Sequence, residues 1–136
     1  MKRSVYRQRG VAAIEFGLLA VVLVLISFGI TEFGRAFYQY NTLLKSTRAA
    51  AREMSFGSAA NHIQVARCLA VYGHRTCTGE SLLAGLTGDL VKFPPDAELY
   101  PGCVAIEGFR FISYVPWIVP DITFNTVRTC MPPGAA

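Results

Sequence analysis

Length and charge restrict the classes of protein that this chain can represent. With 136 residues and a formal net charge of +4, it has room for one small domain and an anchor. The excess charge has one location, because four basic residues precede Gly10 and the rest of the chain carries equal numbers of basic and acidic residues. Nucleic-acid binding needs clustered Lys and Arg that neutralise phosphates. The composition therefore argues against nucleic acid as a partner.

An apolar segment follows this basic leader. Residues 11–30 form a run of 20 residues that contains a single charge, Glu15. As a helix the run is about 30 Å long, which is enough to cross the hydrocarbon core of a bilayer. Because basic flanks stay on the cytoplasmic side of a membrane, we expect residues 1–10 in the cytoplasm and everything after Thr31 in the other compartment.

A cleaved secretory signal and an unprocessed signal-anchor are the simpler interpretations of this run. Signal cleavage needs small residues just after the apolar stretch, and here the stretch is followed by the bulky sequence TEFGRAFYQY. The small residues lie on its other side, at Gly10, Ala12 and Ala13. The sequence therefore disfavours a secretory signal and leaves the signal-anchor as an alternative.

Gly10 and Glu15 together favour a more specific interpretation. Cleavage after Gly10 would make Val11 the new N-terminus and Glu15 the fifth residue of the mature chain. This arrangement resembles the processing site of type IV pilin-like proteins. The new α-amine could pair with the Glu15 carboxylate of its own chain or of a neighbouring subunit. An unpaired charge costs on the order of 2.5–3.5 kcal/mol of insertion free energy at a bilayer centre, and a partner of opposite charge reduces this cost.

The resemblance can be narrowed to one family. The segments GVAAIEF at residues 10–16 and FGITEFGR at residues 28–35 resemble the TadE-like family of minor pilins (pseudopilins) of tight-adherence pilus systems. The resemblance implies a subunit cut by a prepilin peptidase, whose partners are other pilin subunits, the pilus assembly platform and inner-membrane lipid. It also implies that Glu32, Phe33, Gly34 and Arg35 form the cluster at which the helix leaves the membrane.

Beyond the membrane segment we expect the helix to continue to residue 56. No proline interrupts residues 11–56, and Gly57 supplies a stop signal. Glu32 and Arg35 are expected to form a solvated ion pair at the outer membrane edge. Apolar residues at near-helical spacing predict the face that seats the rest of the chain, namely Phe33, Phe37, Tyr40, Leu44, Ala51 and Met54.

The rest of the chain predicts a small α+β head. The sequence AANHIQVARCLAVY predicts a short helix that ends at Gly73, and LTGDLVKFPP predicts a strand that ends at Pro94. Two alternating runs, CVAIEGFRFISYVPW and DITFNTVRTC, predict an antiparallel hairpin. One face of its first strand is expected to carry Phe109, Phe111, Ser113, Val115 and Trp117. The predicted fold class is thus α+β and pilin-like.

All four cysteines follow the membrane segment, where export favours disulfides. Of the three possible pairings, Cys68–Cys77 with Cys103–Cys130 is preferred. A hairpin whose turn is centred at residues 116–117 places Cys103 opposite Cys130. In a head with a limited core, two such cross-links would matter for stability.

A metal site built from His62, Cys68, His74 and Cys77 is the rival interpretation of the cysteines. Their spacing matches no standard zinc pattern. The chain also contains no nucleophile elbow, phosphate loop or zinc-protease helix. We therefore expect neither a metal nor another cofactor, and we do not expect an enzyme.

We accordingly divide the chain into a basic prepilin leader (1–10), a transmembrane helix (11–32), an amphipathic extension (33–56) and an extracytoplasmic head (57–136). The expected function is that of a minor pilin, processed after Gly10, which assembles or primes a tight-adherence (Flp-type) pilus. Its expected location is the bacterial inner membrane, and the pilus after assembly. Two alternatives stay open: an unprocessed membrane-anchored binding domain, and a pseudopilin of a secretion or DNA-uptake machine.

Overall fold

One long helix and a small head make up the part of the chain that the computed structural model describes, residues 6–57, 59–94 and 102–132, with the backbone alone at 6–9. The start of the expected leader, residues 1–5, lies outside the described residues. The elements are α1 (Tyr6–Ser55), α2 (Ala60–Tyr72), a 3-10 turn (Gly88–Leu90), β1 (Val91–Lys92), β2 (Gly102–Ile106), β3 (Arg110–Phe111), β4 (Ile122–Thr123) and β5 (Val127–Met131). The predicted α+β class is confirmed.

The helix α1 is continuous through the membrane segment and its extension. It begins before Gly10, several residues earlier than expected, and ends at Ser55, one residue before the predicted end. The two hydroxyl side chains near the end of the apolar part are satisfied within the helix, because those of Ser27 and Thr31 donate to the carbonyls of residues four positions earlier, at 2.8 and 2.9 Å. Such internal bonds let hydroxyl residues occupy a helix that has no water around it.

The short helix α2 packs against the C-terminal part of α1. Small side chains lie buried on both helices, at Ala50 and Ala51 of α1 and at Ala66 and Ala70 of α2, which allows a close approach. The helix ends at Gly73, whose φ of 78° suits glycine and whose N–H donates to the Leu69 carbonyl at 3.1 Å. Its larger apolar side chains are partly buried and pack against the edge of the core: Ile63, Leu69 and Tyr72.

The strands form an interrupted hairpin with one register. A three-stranded antiparallel sheet has the order β1-β2-β5, and β3 and β4 form a separate two-stranded sheet. Cys103 lies opposite Cys130 in the first sheet, and Phe111 lies opposite Ile122 in the second. Between the two sheets the Phe124 N–H donates to the Phe109 carbonyl at 2.9 Å. The same pairing therefore continues through the break, in the register predicted from the sequence.

The sheet lies directly on α1. All five residues of β2 are buried, and Gly102 is required there because a Cβ atom would collide with the Met131 carbonyl and lie 3.2 Å from that of Ala51. The buried apolar residues of α1, α2, the connecting loops and the strands form one core, with Leu43, Met54, Val71, Leu83, Leu86, Val91, Val104, Ile106, Phe109 and Val127 beside the four alanines.

The face of α1 that seats the head differs from the predicted one. Ala51 and Met54 are buried as expected, but Phe33 and Phe37 are 72% and 60% exposed. The head instead covers a neighbouring row of smaller and polar residues that includes Leu43 and Thr47. The Thr47 hydroxyl lies 3.2 Å from that of Thr129 on β5. Smaller side chains let the sheet approach the helix more closely than a row of aromatic rings would.

Candidate functional site, the anchor helix and its junction with the head

The predicted processing residues all lie on the exposed N-terminal part of α1. Gly10, Val11 and Glu15 are solvent-accessible, and a Cβ atom added to Gly10 would meet no atom of the described residues within 4 Å. Packing within the chain therefore does not explain a glycine at this position. Across the described residues Glu15 has no hydrogen bond and no ion pair.

The surface around Glu15 is almost entirely apolar. Large side chains from Val11 to Ile30 are exposed on every side of the helix, and the most apolar 18-residue stretch of α1 has no residue buried against the rest of the chain. By length and composition this helix can cross a membrane. It fits a single-pass membrane anchor, because so much apolar surface would otherwise face water.

At the other end of the apolar run, Glu32 joins the anchor to the head. Its carboxylate is only 3% exposed, and one oxygen accepts from the Ser113 hydroxyl at 3.0 Å and from the Tyr114 N–H at 3.3 Å. The same oxygen lies 3.3 Å from the guanidinium of Arg35, one turn along the helix. The hydrogen bonds that this carboxylate would make to water in an open position are thus replaced by bonds to three protein donors.

Arg35 binds the same segment of the head by its guanidinium group. It donates to the Ile112 carbonyl, and its charged plane lies 3.6 Å from the ring centroid of Tyr114 and 4.9 Å from that of Phe111. Arginine stacks on aromatic rings in this way because its charge is spread over a flat surface. Glu32 and Arg35 together thus hold the turn between β3 and β4 against the helix.

The expectation of a solvated Glu32–Arg35 pair is wrong. The ion pair forms, but residues 112–114 cover it, so that the carboxylate is withdrawn from solvent. Phe33 and Gly34, the other two members of the predicted membrane-exit cluster, are exposed and lie outside these contacts. Helical spacing predicted the pair correctly, but it carried no information on what covers it.

Sequence reasoning missed the part of Ser113 in this junction. Ser113 was predicted on the strand face that also carries Phe109 and Phe111, and in the structure all three residues are buried. A polar side chain at an inward position needs a hydrogen-bonding partner. The buried hydroxyl therefore indicated that a hydrogen-bonding partner was needed. It could not identify this partner as Glu32, which is 81 residues away in the chain.

A second buried acid fastens the far end of α1. One Glu53 oxygen lies 3.0 Å from His62 Nδ1 on α2 and 2.9 Å from the guanidinium of Arg75 in the loop that follows α2. His62, a member of the rival metal set, thus contacts a carboxylate. Two other members, Cys68 and Cys77, are joined to each other.

Two disulfides cross-link the head. Cys68 on α2 is bonded to Cys77 in the following loop, with the Cα atoms 4.8 Å apart. Cys103 on β2 is bonded to Cys130 on β5, with the Cα atoms 4.0 Å apart. Both bonds lie beyond the apolar part of α1. Together they form the preferred connectivity, of which Cys103–Cys130 is the pair that the hairpin register favoured.

Comparison with known proteins gives one match. Residues 10–52 match the family model described as TadE-like protein, which is just under a third of the chain and includes both Glu15 and the Glu32–Arg35 pair. No curated protein and no solved structure matches the chain. Over α1 this chain is therefore similar to TadE-like proteins, consistent with a TadE-like protein of Tad pilus systems.

Proposed function

We propose that this chain is a minor pilin, or pseudopilin, which is cut after Gly10 and then assembles into or primes a tight-adherence (Flp-type) pilus. The family match supports association with such a pilus and a structural or assembly role rather than an enzymatic one. One observation carries the finer proposal. Glu15 lies on a bare apolar helix without any partner among the described residues, five positions after a glycine that packing does not require.

The chemistry of assembly follows from this position of Glu15. Cleavage removes the four basic residues of the leader and creates an α-amine at Val11, about 6 Å from Glu15 along a helix. Pairing with the α-amine of a neighbouring subunit satisfies a carboxylate that lipid cannot solvate. The cost of leaving Glu15 unpaired then falls on isolated subunits and favours assembled ones.

The proposed topology places the segments on the two sides of the inner membrane. The leader (1–10) is cytoplasmic by the positive-inside rule, residues 11–32 span the bilayer, and residues 33–56 carry the head (57–136) on the periplasmic side. The proposed partners are the prepilin peptidase, other pilin subunits, the assembly platform and membrane lipid. A compartment outside the cytoplasm is also where disulfides such as Cys103–Cys130 persist.

Gly10 suits a processing site for a conformational reason. The described backbone is helical from Tyr6 onward, so a peptidase must open the helix at this bond. Glycine destabilises a helix interior by about 0.5–1 kcal/mol relative to alanine, which makes local opening easier, and it offers no side chain that could obstruct the enzyme.

The proposal is tested by the N-terminus of the mature protein. Wild-type protein from membranes of pilus-producing cells should begin at Val11, and Gly10→Phe should keep the leader. Gly17→Phe is the matched control, because Gly17 lies on the same exposed helix and a Cβ there also meets nothing within 4 Å. This control should be cut normally. Intact residues 1–10 in the wild type, in cells with an active prepilin peptidase, would refute processing and favour the unprocessed anchor.

A further inference from the structure

The turn between β3 and β4 has an unusual surface for a loop. Residues 112–120, with the sequence ISYVPWIVP, contain no charged side chain, and we name this segment the tip loop. Three of its large side chains point away from the core, since Ile112, Tyr114 and Trp117 are 65%, 81% and 74% exposed, whereas Val115, Ile118 and Val119 are partly buried. Exposed apolar clusters of this kind mark binding surfaces.

The sequence placed Trp117 on the same strand face as Phe109, Phe111 and Ser113, but those three residues are buried and Trp117 is exposed. The reason is the shape of the tip loop. Strand alternation holds as far as Ser113, but the N–H groups of Ile118 and Val119 both donate to the Val115 carbonyl, at 2.9 and 3.0 Å. The chain therefore coils into a turn, and the alternation of inward and outward residues ends before Trp117.

The base of the tip loop is charged although its end is apolar. Arg110 and Asp121 form an ion pair with a 3.0 Å separation, and the other oxygen of Asp121 accepts from the Ser113 N–H at 2.9 Å. An apolar end on a charged base is the pattern of a segment that enters an interface only to a limited depth.

The tip loop lies beside the point at which the apolar run of α1 ends. Ser113 and Tyr114 contact Glu32, which is the first charged residue after the uncharged residues 16–31. At the same level Ile30 and Phe33 are exposed on α1. The loop and the helix thus present apolar side chains at one height, while the charges of Glu32 and Arg35 are enclosed between them.

We infer that the tip loop inserts into the boundary between headgroups and acyl chains of the bilayer that α1 spans, with Trp117 and Tyr114 as its interfacial anchors. Trp and Tyr favour this zone because their rings combine apolar surface with a polar group. The loop also shields the Glu32–Arg35 pair from lipid. The inference depends on the anchoring of α1 in the membrane, which is part of the proposed function, but not on processing after Gly10.

Trp117 is the single tryptophan of the chain, so its fluorescence reports on the tip loop alone. The experiment reconstitutes the full chain in phosphatidylcholine vesicles that contain lipids brominated either near the headgroup or near the end of the acyl chain. We expect the shallow bromines to quench Trp117 more strongly than the deep ones. Iodide should quench it several-fold less than it quenches free tryptophan, because the headgroup zone excludes the ion.

A matched control moves the tryptophan to the opposite end of the head. Trp117→Phe combined with Phe56→Trp places the indole at an exposed position just after α1, roughly 35 Å along the helix from Glu32. This variant should be open to iodide and unaffected by either brominated lipid. Quenching of it by bromine would mean that the whole head lies on the membrane, and would overturn the inference.

Two further outcomes would also overturn it. If iodide reaches Trp117 freely and bromine does not quench it, the loop stays in water. If Trp117 is protected from iodide without bromine quenching, protein covers it, and a second copy of the chain is then the occupant. Extraction with alkaline carbonate distinguishes failure of the proposed membrane anchor from failure of the tip-loop inference. Release of the protein from the vesicles would contradict the anchor itself, whereas an unquenched Trp117 in retained protein contradicts the tip loop alone.

Discussion

The two ends of α1 hold their acidic residues in opposite ways. Glu15 lies on a bare apolar surface and has no partner among the described residues. Glu32 and Glu53 are 3% and 4% exposed, and each accepts from donors that the head supplies. One helix thus contains two acids satisfied within the chain and one that is not.

This difference supports the proposal that Glu15 acts in association, whereas Glu32 and Glu53 have structural roles. Loss of a buried carboxylate that is hydrogen-bonded within the chain leaves its donors unpaired and therefore destabilises the fold. A carboxylate without an internal partner contributes nothing to the fold. In a membrane it instead favours any state that provides a cation, such as the α-amine of a neighbouring subunit.

The largest effect is expected from Glu15→Gln, which should abolish filament formation. The variant should insert at least as well as the wild type, because an amide costs less to desolvate than a carboxylate. Maturation after Gly10 should be less affected, and the thermal unfolding of the head should not change. Membrane extraction, N-terminal mass and electron microscopy of pili measure these properties.

Glu32→Gln is the matched control for that experiment. It should lower the stability of the head by about 1–3 kcal/mol, because Arg35 and the Tyr114 N–H lose a charged acceptor, but the folded protein should still assemble. Normal pili with Glu15→Gln would show that Glu15 is only a tolerated interfacial acid. Failure of Glu15→Gln to insert would place its role before assembly.

Removal of the disulfides should lower the stability of the head without loss of membrane insertion. Replacing both Cys103 and Cys130 by Ser opens a loop with a sequence separation of 27 and should cost about 3.5 kcal/mol. Replacing Cys68 and Cys77, whose separation is 9, should cost about 2.5 kcal/mol. Thermal unfolding of the full chain in detergent measures both losses, and membrane insertion should be retained.

Peptide mapping without reductant must first establish the bonds in protein from its natural compartment. A Cys68–Cys103 bridge, or four free thiols, would contradict this connectivity. Equal stability losses from the two pairs would indicate that strain or residual structure, rather than loop length, sets their contributions.

The smallest effects should come from the Glu53 contacts. Glu53→Gln should destabilise the head by about 1–2 kcal/mol, because two donors lose a charged, buried acceptor. Arg75→Gln should cost no more than about 0.5 kcal/mol, because the Arg75 side chain is 69% exposed, so that solvent already weakens its pair with Glu53, and the Glu53 carboxylate keeps its contact with His62. Urea unfolding of the two variants compares the losses, and a larger loss for Arg75→Gln would contradict this assignment.

The anchor could be predicted from the sequence because its properties are local. An uninterrupted apolar run, a basic flank and the spacing of Gly10 and Glu15 require no knowledge of the fold, and a helix satisfies its own backbone hydrogen bonds. The hairpin register was also accessible, since the pairing of Cys103 with Cys130 and the turn near residue 116 describe the same ladder.

Only the tertiary structure decided which face of α1 carries the head and which acids are buried. Phe33 belongs to the predicted apolar stripe and Leu43 does not, but only Leu43 is covered, because close contact with β2 and β5 selects smaller side chains than a hydrophobic pattern does. The sequence predicts Glu32 to be a surface acid. In the structure it is buried by contacts that include Ser113, which lies 81 residues later in the chain. Burial depends on contacts between distant segments, and helical periodicity contains no information about them.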